Sequence, residues 1–287
     1  MIETDLPAAV AAALGAPTEG ERFTVEAAGI PWSALAWGDA GARPLLLIHG
    51  VTSSAATWWR IGPALAATGR RVVAVDLPGH GRTGHWQGHY RFRDNAADVV
   101  AFVRAAGLER DGLQVVGHSW GAMTAAAFPV TGLRPATLVL IDPPALAHAA
   151  ISREASDPAQ QTFTDRGEAT AAVRAANPDW DDGDVRAKAE ALTLLDEAAA
   201  RSVLLDNGDW DGGLADLADP AVAGIPVWVV RGEAAFGGYL ADEHVPAFAA
   251  LIGADHVITI KGGPHSPHRT HPIETTAALL RTLEEGA

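Results

Sequence analysis

An apolar run, Leu113-Gln114-Val115-Val116, ends in Gly117-His118-Ser119-Trp120-Gly121, and an alanine-rich helical pattern follows at once. A strand that passes into a helix through Gly-x-Ser-x-Gly must make a turn so tight that the serine stands out at the strand end. Gly117 and Gly121 remove the side chains that would crowd such a turn. Ser119 then presents its hydroxyl at the edge of a sheet, and the Trp120 amide beside it is placed to bind an oxyanion.

The rest of the chain is built to carry that turn. Strand-like runs at 23–27, 33–37 and 45–49 are punctuated by Gly29, Pro31, Gly38, Gly41 and Pro44. A helix is predicted from 54 to just before 69, a strand at 71–76, a helix at 94–106, the strand at 113–117, a helix at 120–128 and a strand at 137–142. Strands too apolar to face water on either side, alternating with helices, predict a mostly parallel sheet covered on both faces. The pattern changes after Asp142. From Pro143 to about Pro220 the periodicity is helical, with at least two helices near 168–176 and 185–205 and no convincing strand. The sheet pattern resumes at 227–231 and continues with a helix at 245–252, a strand at 256–261 and a final helix at 272–285. The predicted organisation is a core of 1–142 and 221–287 interrupted by an all-helical cap, 143–220, since long excursions inside compact domains are usually functional.

Composition narrows the partners. The 287 residues carry a net charge of −14, which repels nucleic acid and anionic membranes and leaves a small-molecule substrate as the expected partner. There is no cysteine, so a disulfide framework, a thiol nucleophile and a Cys-ligated metal are excluded. The N-terminal residues show no basic region followed by an apolar run, and the alanine-rich segment from Val10 to Leu14 is too short to span a bilayer, so a cytoplasmic protein is expected. Neither a Gly-x-Gly-x-x-Gly after a strand nor a phosphate-binding Gly-x-x-x-x-Gly-Lys-Ser/Thr loop occurs, and no cofactor is expected.

A serine hydroxyl needs a base within hydrogen-bond reach. Of the eleven histidines, His265 is best placed, in the loop Gly262-Gly263-Pro264-His265-Ser266 between the last strand and the final helix. His268 and His271 read as packing or solvent-facing residues. No Glu stands among the three and no His-Glu-x-x-His occurs, so no metal is expected. A second oxyanion donor should come from His49-Gly50-Val51-Thr52-Ser53: Gly50 lets the backbone approach, and the Val51 N–H would lie beside that of Trp120. The same stretch also reads as a strand-to-helix turn with Ser53 or Ser54 as N-cap.

Together these segments resemble the α/β-hydrolase superfamily over nearly the whole chain. The resemblance rests on His49-Gly50, on Asp76-Leu77-Pro78-Gly79-His80-Gly81-Arg82-Thr83, on Gly117-His118-Ser119-Trp120-Gly121 and on Gly263-Pro264-His265-Ser266, in the family's order and spacing. It implies an eight-stranded, mostly parallel sheet and a helical cap. It also implies that 76–82 is a structural turn. The chain departs from the family at the acid. The turn after the strand at 227–231 reads Arg231-Gly232-Glu233-Ala234-Ala235-Phe236, with Ala235 where an Asp is expected. Two carboxylates could substitute: Asp142, at the end of the neighbouring strand, a position some family members use, or as a fallback Glu233, two residues before the empty slot. The Trp120 indole is a candidate wall for the acyl pocket, and Trp58, Trp59, Trp180 and Trp210 are candidates for the cleft. The expected activity is hydrolysis of a small carboxylic ester or lactone by Ser119, His265 and a carboxylate. Amide, aminoacyl-peptide or C–C bond hydrolysis on the same machinery, or a non-catalytic ligand-binding role, are the alternatives. Relatives that open epoxides or remove halides use Asp where Ser119 stands.

Overall fold

Successive residues of the central strands face opposite sides of a sheet, and here both sides are apolar. In the computed structural model, which describes residues 4–85, 90–156 and 161–284, Leu46 and Ile48 pack into one core layer while Leu45 and Leu47 pack into the other. Val73 and Val75 alternate with Val72 and Ala74, and Leu138 and Leu140 with Val139 and Ile141, in the same way. A sheet with two dry faces needs helices on both, and it has them.

The eight-stranded sheet comprises β1 (Glu21–Ala27), β2 (Ile30–Trp37), β3 (Arg43–Ile48), β4 (Arg70–Val75), β5 (Gln114–His118), β6 (Thr137–Ile141), β9 (Val227–Arg231) and β10 (Val257–Thr259). Its order is β1-β2-β4-β3-β5-β6-β9-β10. The pairs β1–β2 and β2–β4 are antiparallel, and the other pairs are parallel. One layer holds α3 (Phe92–Ala105) and α4 (Trp120–Ala126); the other holds α1 (Ala8–Gly15), α2 (Ile61–Ala66) and the final helix (Pro272–Glu284). This is the mostly parallel, eight-stranded architecture that the sequence predicts. The C-terminal end of the predicted last helix, Glu285, lies outside the described residues.

Between β6 and β9 the chain runs through α5 (His148–Glu154), α6 (Arg166–Ala176), α7 (Asp182–Leu194), α8 (Glu197–Leu205) and α9 (Leu214–Leu217). The sequence predicts an all-helical excursion, but the structure adds a short strand pair to its helices. β7 (Ala145–Leu146) pairs antiparallel with β8 (Trp210–Asp211), a ribbon too short to leave a periodic signature. Ala169 and Val173 of α6 pack against Val185, Ala189 and Leu192 of α7, giving the excursion a small core of its own. Among the described residues no helix is long and apolar enough to cross a membrane.

Candidate active site

The site lies where β3, β5 and β6 end side by side. At the end of β5 the chain enters α4 through Ser119, whose φ is 56° and ψ −121°. The turn closes only around glycine. A Cβ on Gly117 would stand 2.2 Å from the Gly121 carbonyl oxygen, and one on Gly121 would stand 2.5 Å and 2.6 Å from the carbonyl oxygens of Ile48 and His49. A Cβ on Gly50 would meet the Ser119 Cβ at 2.9 Å, so the β3 turn lies directly against the serine. Four non-glycine residues among those described have positive φ: Ala28, Thr52, Ser119 and Asp142. Three of these four are in the site, where strained backbone is expected to concentrate.

Ser119 Oγ lies 2.9 Å from His265 Nε2, and His265 Nδ1 lies 2.7 Å from Asp142 Oδ2. Asp142 is fully buried at the end of β6. Its carboxylate also accepts the N–H of Gly232 at 3.1 Å and of Tyr239 at 2.7 Å, so both oxygens are fixed and His265 must donate from Nδ1. Nε2 is thereby left as the acceptor for the Ser119 hydroxyl. The Tyr239 ring stacks on the His265 imidazole with centroids 3.9 Å apart. His118 donates from Nε2 to the His265 carbonyl oxygen at 2.8 Å and ties the histidine loop to β5. Such a chain can deprotonate a hydroxyl as it attacks a carbonyl and return the proton to a leaving group.

Glu233 does not meet His265. Its carboxylate accepts the Gly262 N–H at 2.8 Å and so braces the loop that carries the histidine. Ala235, in the slot where the family's acid is expected, is exposed.

On the other side of the serine, the His49 ring orders the β3 turn. Its Nε2 accepts the Leu77 N–H at 3.0 Å, so Nδ1 carries the proton and donates to the Gly50 carbonyl at 2.8 Å. Fixing that carbonyl fixes the Gly50–Val51 peptide plane, and the trans Val51 N–H points the opposite way. Trp120 opens α4, and first-turn amides have no acceptor within their helix. Burial holds His49 neutral, its pKa pushed down to about 4. His80, packed on the Trp120 indole with centroids 4.9 Å apart, is pushed down to about 3 by burial and by His49.

A cavity of about 390 Å³ opens over Ser119 and His265. Val51 and Tyr239 line it from the core, and Phe163, Val173, Lys188 and Leu192 line it from the excursion. Trp180 and Trp210 also line it. The other candidates, Trp58, Trp59 and Trp120, do not. The Trp120 indole is fully buried in the core between His49 and His80, so it walls no pocket. Trp58 is buried against His268, and Trp59 donates to Asp184 at 3.1 Å. His268 is buried rather than solvent-facing, with Nε2 3.2 Å from Thr57 Oγ1, and His271 Nδ1 lies 2.9 Å from Thr270 Oγ1. Sequence reasoning passed over Lys188 and Arg269, which both line the cavity. A charged residue two elements away in sequence gives no sign of facing a site, although Arg269 lies only four residues beyond His265.

The chain is similar to several known proteins. Lipase LipV of Mycobacterium tuberculosis is 29% identical over 267 residues, which cover 86% of this chain and 95% of that protein. Epoxide hydrolase B of the same organism is 41% identical over 86 residues, 29% of this chain, and the match spans 24% of that protein's length. Among solved structures, E-2-(acetamidomethylene)succinate hydrolase superposes with a TM-score of 0.79 at 22% identity, over 92% of this chain and 99% of that one, which is a likeness of fold. The family described as the alpha/beta hydrolase family matches residues 45–279. With that match over most of its length, and with the sheet order and serine turn described above, this chain belongs to the alpha/beta hydrolase family.

Proposed function

We propose that the protein hydrolyses a small carboxylic ester or lactone through an acyl-enzyme formed on Ser119. The observation that carries this reading is the unbroken hydrogen-bond chain from Ser119 Oγ through His265 to Asp142, at 2.9 Å and 2.7 Å. Ser119 Oγ attacks the carbonyl carbon while its proton passes to His265 Nε2. Asp142 holds the tautomer and stabilises the imidazolium. The Val51 and Trp120 amides hold the oxyanion. His265 returns the proton to the departing alkoxide, then takes one from the water that hydrolyses the acyl-serine. A carboxylate nucleophile, which the epoxide-opening relatives use, has no counterpart at position 119.

Residues 143–220 act in this reading as a cap that sets substrate size. Support comes from the cavity wall, of which α6 and α7 and the segment around Phe163 form a large part. A cavity of about 390 Å³ suits a small substrate.

The test is turnover of a p-nitrophenyl acyl ester. Ser119→Ala should fold and lose on the order of a thousandfold or more in kcat. His265→Ala should match it, and the double variant should cost little more, because the residues act as a unit. Near-normal esterase activity in Ser119→Ala would overturn the mechanism.

A further inference from the structure

The chain is strongly acidic, yet two cations line the cavity above its serine. Arg269, on the short helix Pro267–Thr270, is only 6% exposed. Its Nη2 donates to Thr57 Oγ1 at 2.8 Å and to Ser53 Oγ at 3.3 Å, and its face lies 4.4 Å from the Trp180 ring. Nε and Nη1 are buried and, among the described residues, have no hydrogen-bond partner. Among the described residues no carboxylate lies within 4 Å of the guanidinium. Asp184, the acid whose charge it feels, is bonded to Trp59 instead. A buried guanidinium with unused donors and no contacting anion is costly, and that cost falls when an anion fills the fork. Its histidine neighbours add no positive charge, since burial keeps His118 and His268 neutral, so the charge here is that of the guanidinium itself. Lys188 of α7 stands on the same wall, with Nζ 3.0 Å from the Thr52 carbonyl oxygen and 2.7 Å from Thr52 Oγ1. The two cations therefore grip consecutive residues, Thr52 and Ser53, just past the Val51 amide.

We propose that Arg269, assisted by the charge of Lys188, forms a carboxylate-binding subsite beside the oxyanion turn, so that the substrate is an ester carrying a carboxylate of its own, such as a half-ester of a dicarboxylic acid. The proposal rests on the serine-hydrolase reading for its chemistry, but the subsite can be tested without turnover. Two other roles are open to the same side chains. They could simply hold the oxyanion turn in place, or the guanidinium could serve the adjoining hollow that it shares with Arg60 and Asp181.

Two substrates separate these roles: p-nitrophenyl hydrogen glutarate and its terminal amide, which match in size and differ in one charge. The readout is the ratio of their kcat/KM values, which cancels any loss of folded enzyme. The wild type should prefer the anionic ester by about tenfold or more, and Arg269→Gln should lose on the order of tenfold to a hundredfold of that ratio. Lys188→Gln should lower it by a smaller factor. Variants that slow both esters alike would assign the cations to the oxyanion turn and overturn the proposal. So would a wild type with no preference. Calorimetric titration of glutarate into Ser119→Ala, with and without Arg269→Gln, is the second arm. Binding that disappears with Arg269 supports the subsite even if neither ester is hydrolysed, an outcome that would refute the hydrolase reading alone. Equal binding or none in both proteins refutes the subsite.

Discussion

At the scale of single residues, the carboxylate beside His265 is the most informative assignment. Asp142 is buried, accepts two backbone N–H groups and reaches Nδ1, while Glu233 braces Gly262. In the mechanism proposed here Asp142→Asn should lower kcat by as much as ~10⁴, because an amide cannot stabilise the imidazolium and can present the wrong partner to Nδ1. Glu233→Gln keeps an oxygen for Gly262 and should retain most of its activity. Steady-state kinetics on one activated ester checks both, and the reverse ranking would move the acid to Glu233. The serine, the histidine and both candidate acids were legible in the sequence, because turns and strand ends carry recognisable residues. The preference for Asp142 over Glu233 was legible only in part. It depended on which oxygen the backbone of Gly232 and Tyr239 would hold, and those contacts span 90 and 97 residues. Arg269 was illegible for the same reason, since its surroundings come from residues 53, 57 and 180.

At the scale of elements, apolar runs gave the sheet strands to within a few residues, because burial on both faces leaves little room for ambiguity. Breaks inside helical stretches were harder to see. The helix predicted from 54 splits into a short turn (Ala55–Trp58) and α2, where Pro63 has no N–H to offer a continuing helix. The stretch 185–205 splits at Leu195, which is extended. Asp196 then caps α8 by accepting the N–H groups of Ala198 and Ala199, and its own N–H bonds to Gly79. Asp196→Ala should therefore destabilise the fold by about 1 kcal/mol, read as a lower denaturation midpoint with an unchanged slope. Phe163 lines the cavity from the segment before α6 and packs on the core between α6 and α7. Phe163→Ala should shift the preferred acyl chain toward longer esters while leaving a small activated acetate comparatively unaffected. A chain-length series measured as kcat/KM would show it, and an unchanged ranking would argue against the cap as the determinant of substrate size.

At the scale of the whole molecule, four histidines buried in and beneath the site make the fold sensitive to acid. His49, His80, His118 and His268 all have pKa values lowered chiefly by burial. The unfolded chain binds their protons at ordinary values near 6.5 and the folded protein does not, so stability rises with pH over this window and falls on acidification. For His49 alone, a shift from 6.5 to about 4 amounts to a loss of about 2 kcal/mol by roughly pH 5. Urea melts at a series of pH values should show stability falling from about pH 6.5 downward, before most carboxylates titrate. A flat profile to about pH 4.5 would contradict the buried, neutral assignment.

The pairing of β6 with β9 has one more consequence. The chain leaves the sheet after Ile141 and re-enters at Val227, and Leu138 pairs with Val227 and Ile141 with Val230. To the sheet, everything between is a single loop joining two adjacent parallel strands. The entropy of closing such a loop changes by only about 0.6 kcal/mol for each doubling of its length. In closure entropy alone, changes of length there cost little, whereas the serine turn packs against the backbone of Ile48 and His49 and the histidine loop against that of Gly232. On the reading proposed above, descendants of such a chain can exchange what they recognise as a cassette while inheriting, almost unaltered, the means by which they cut it.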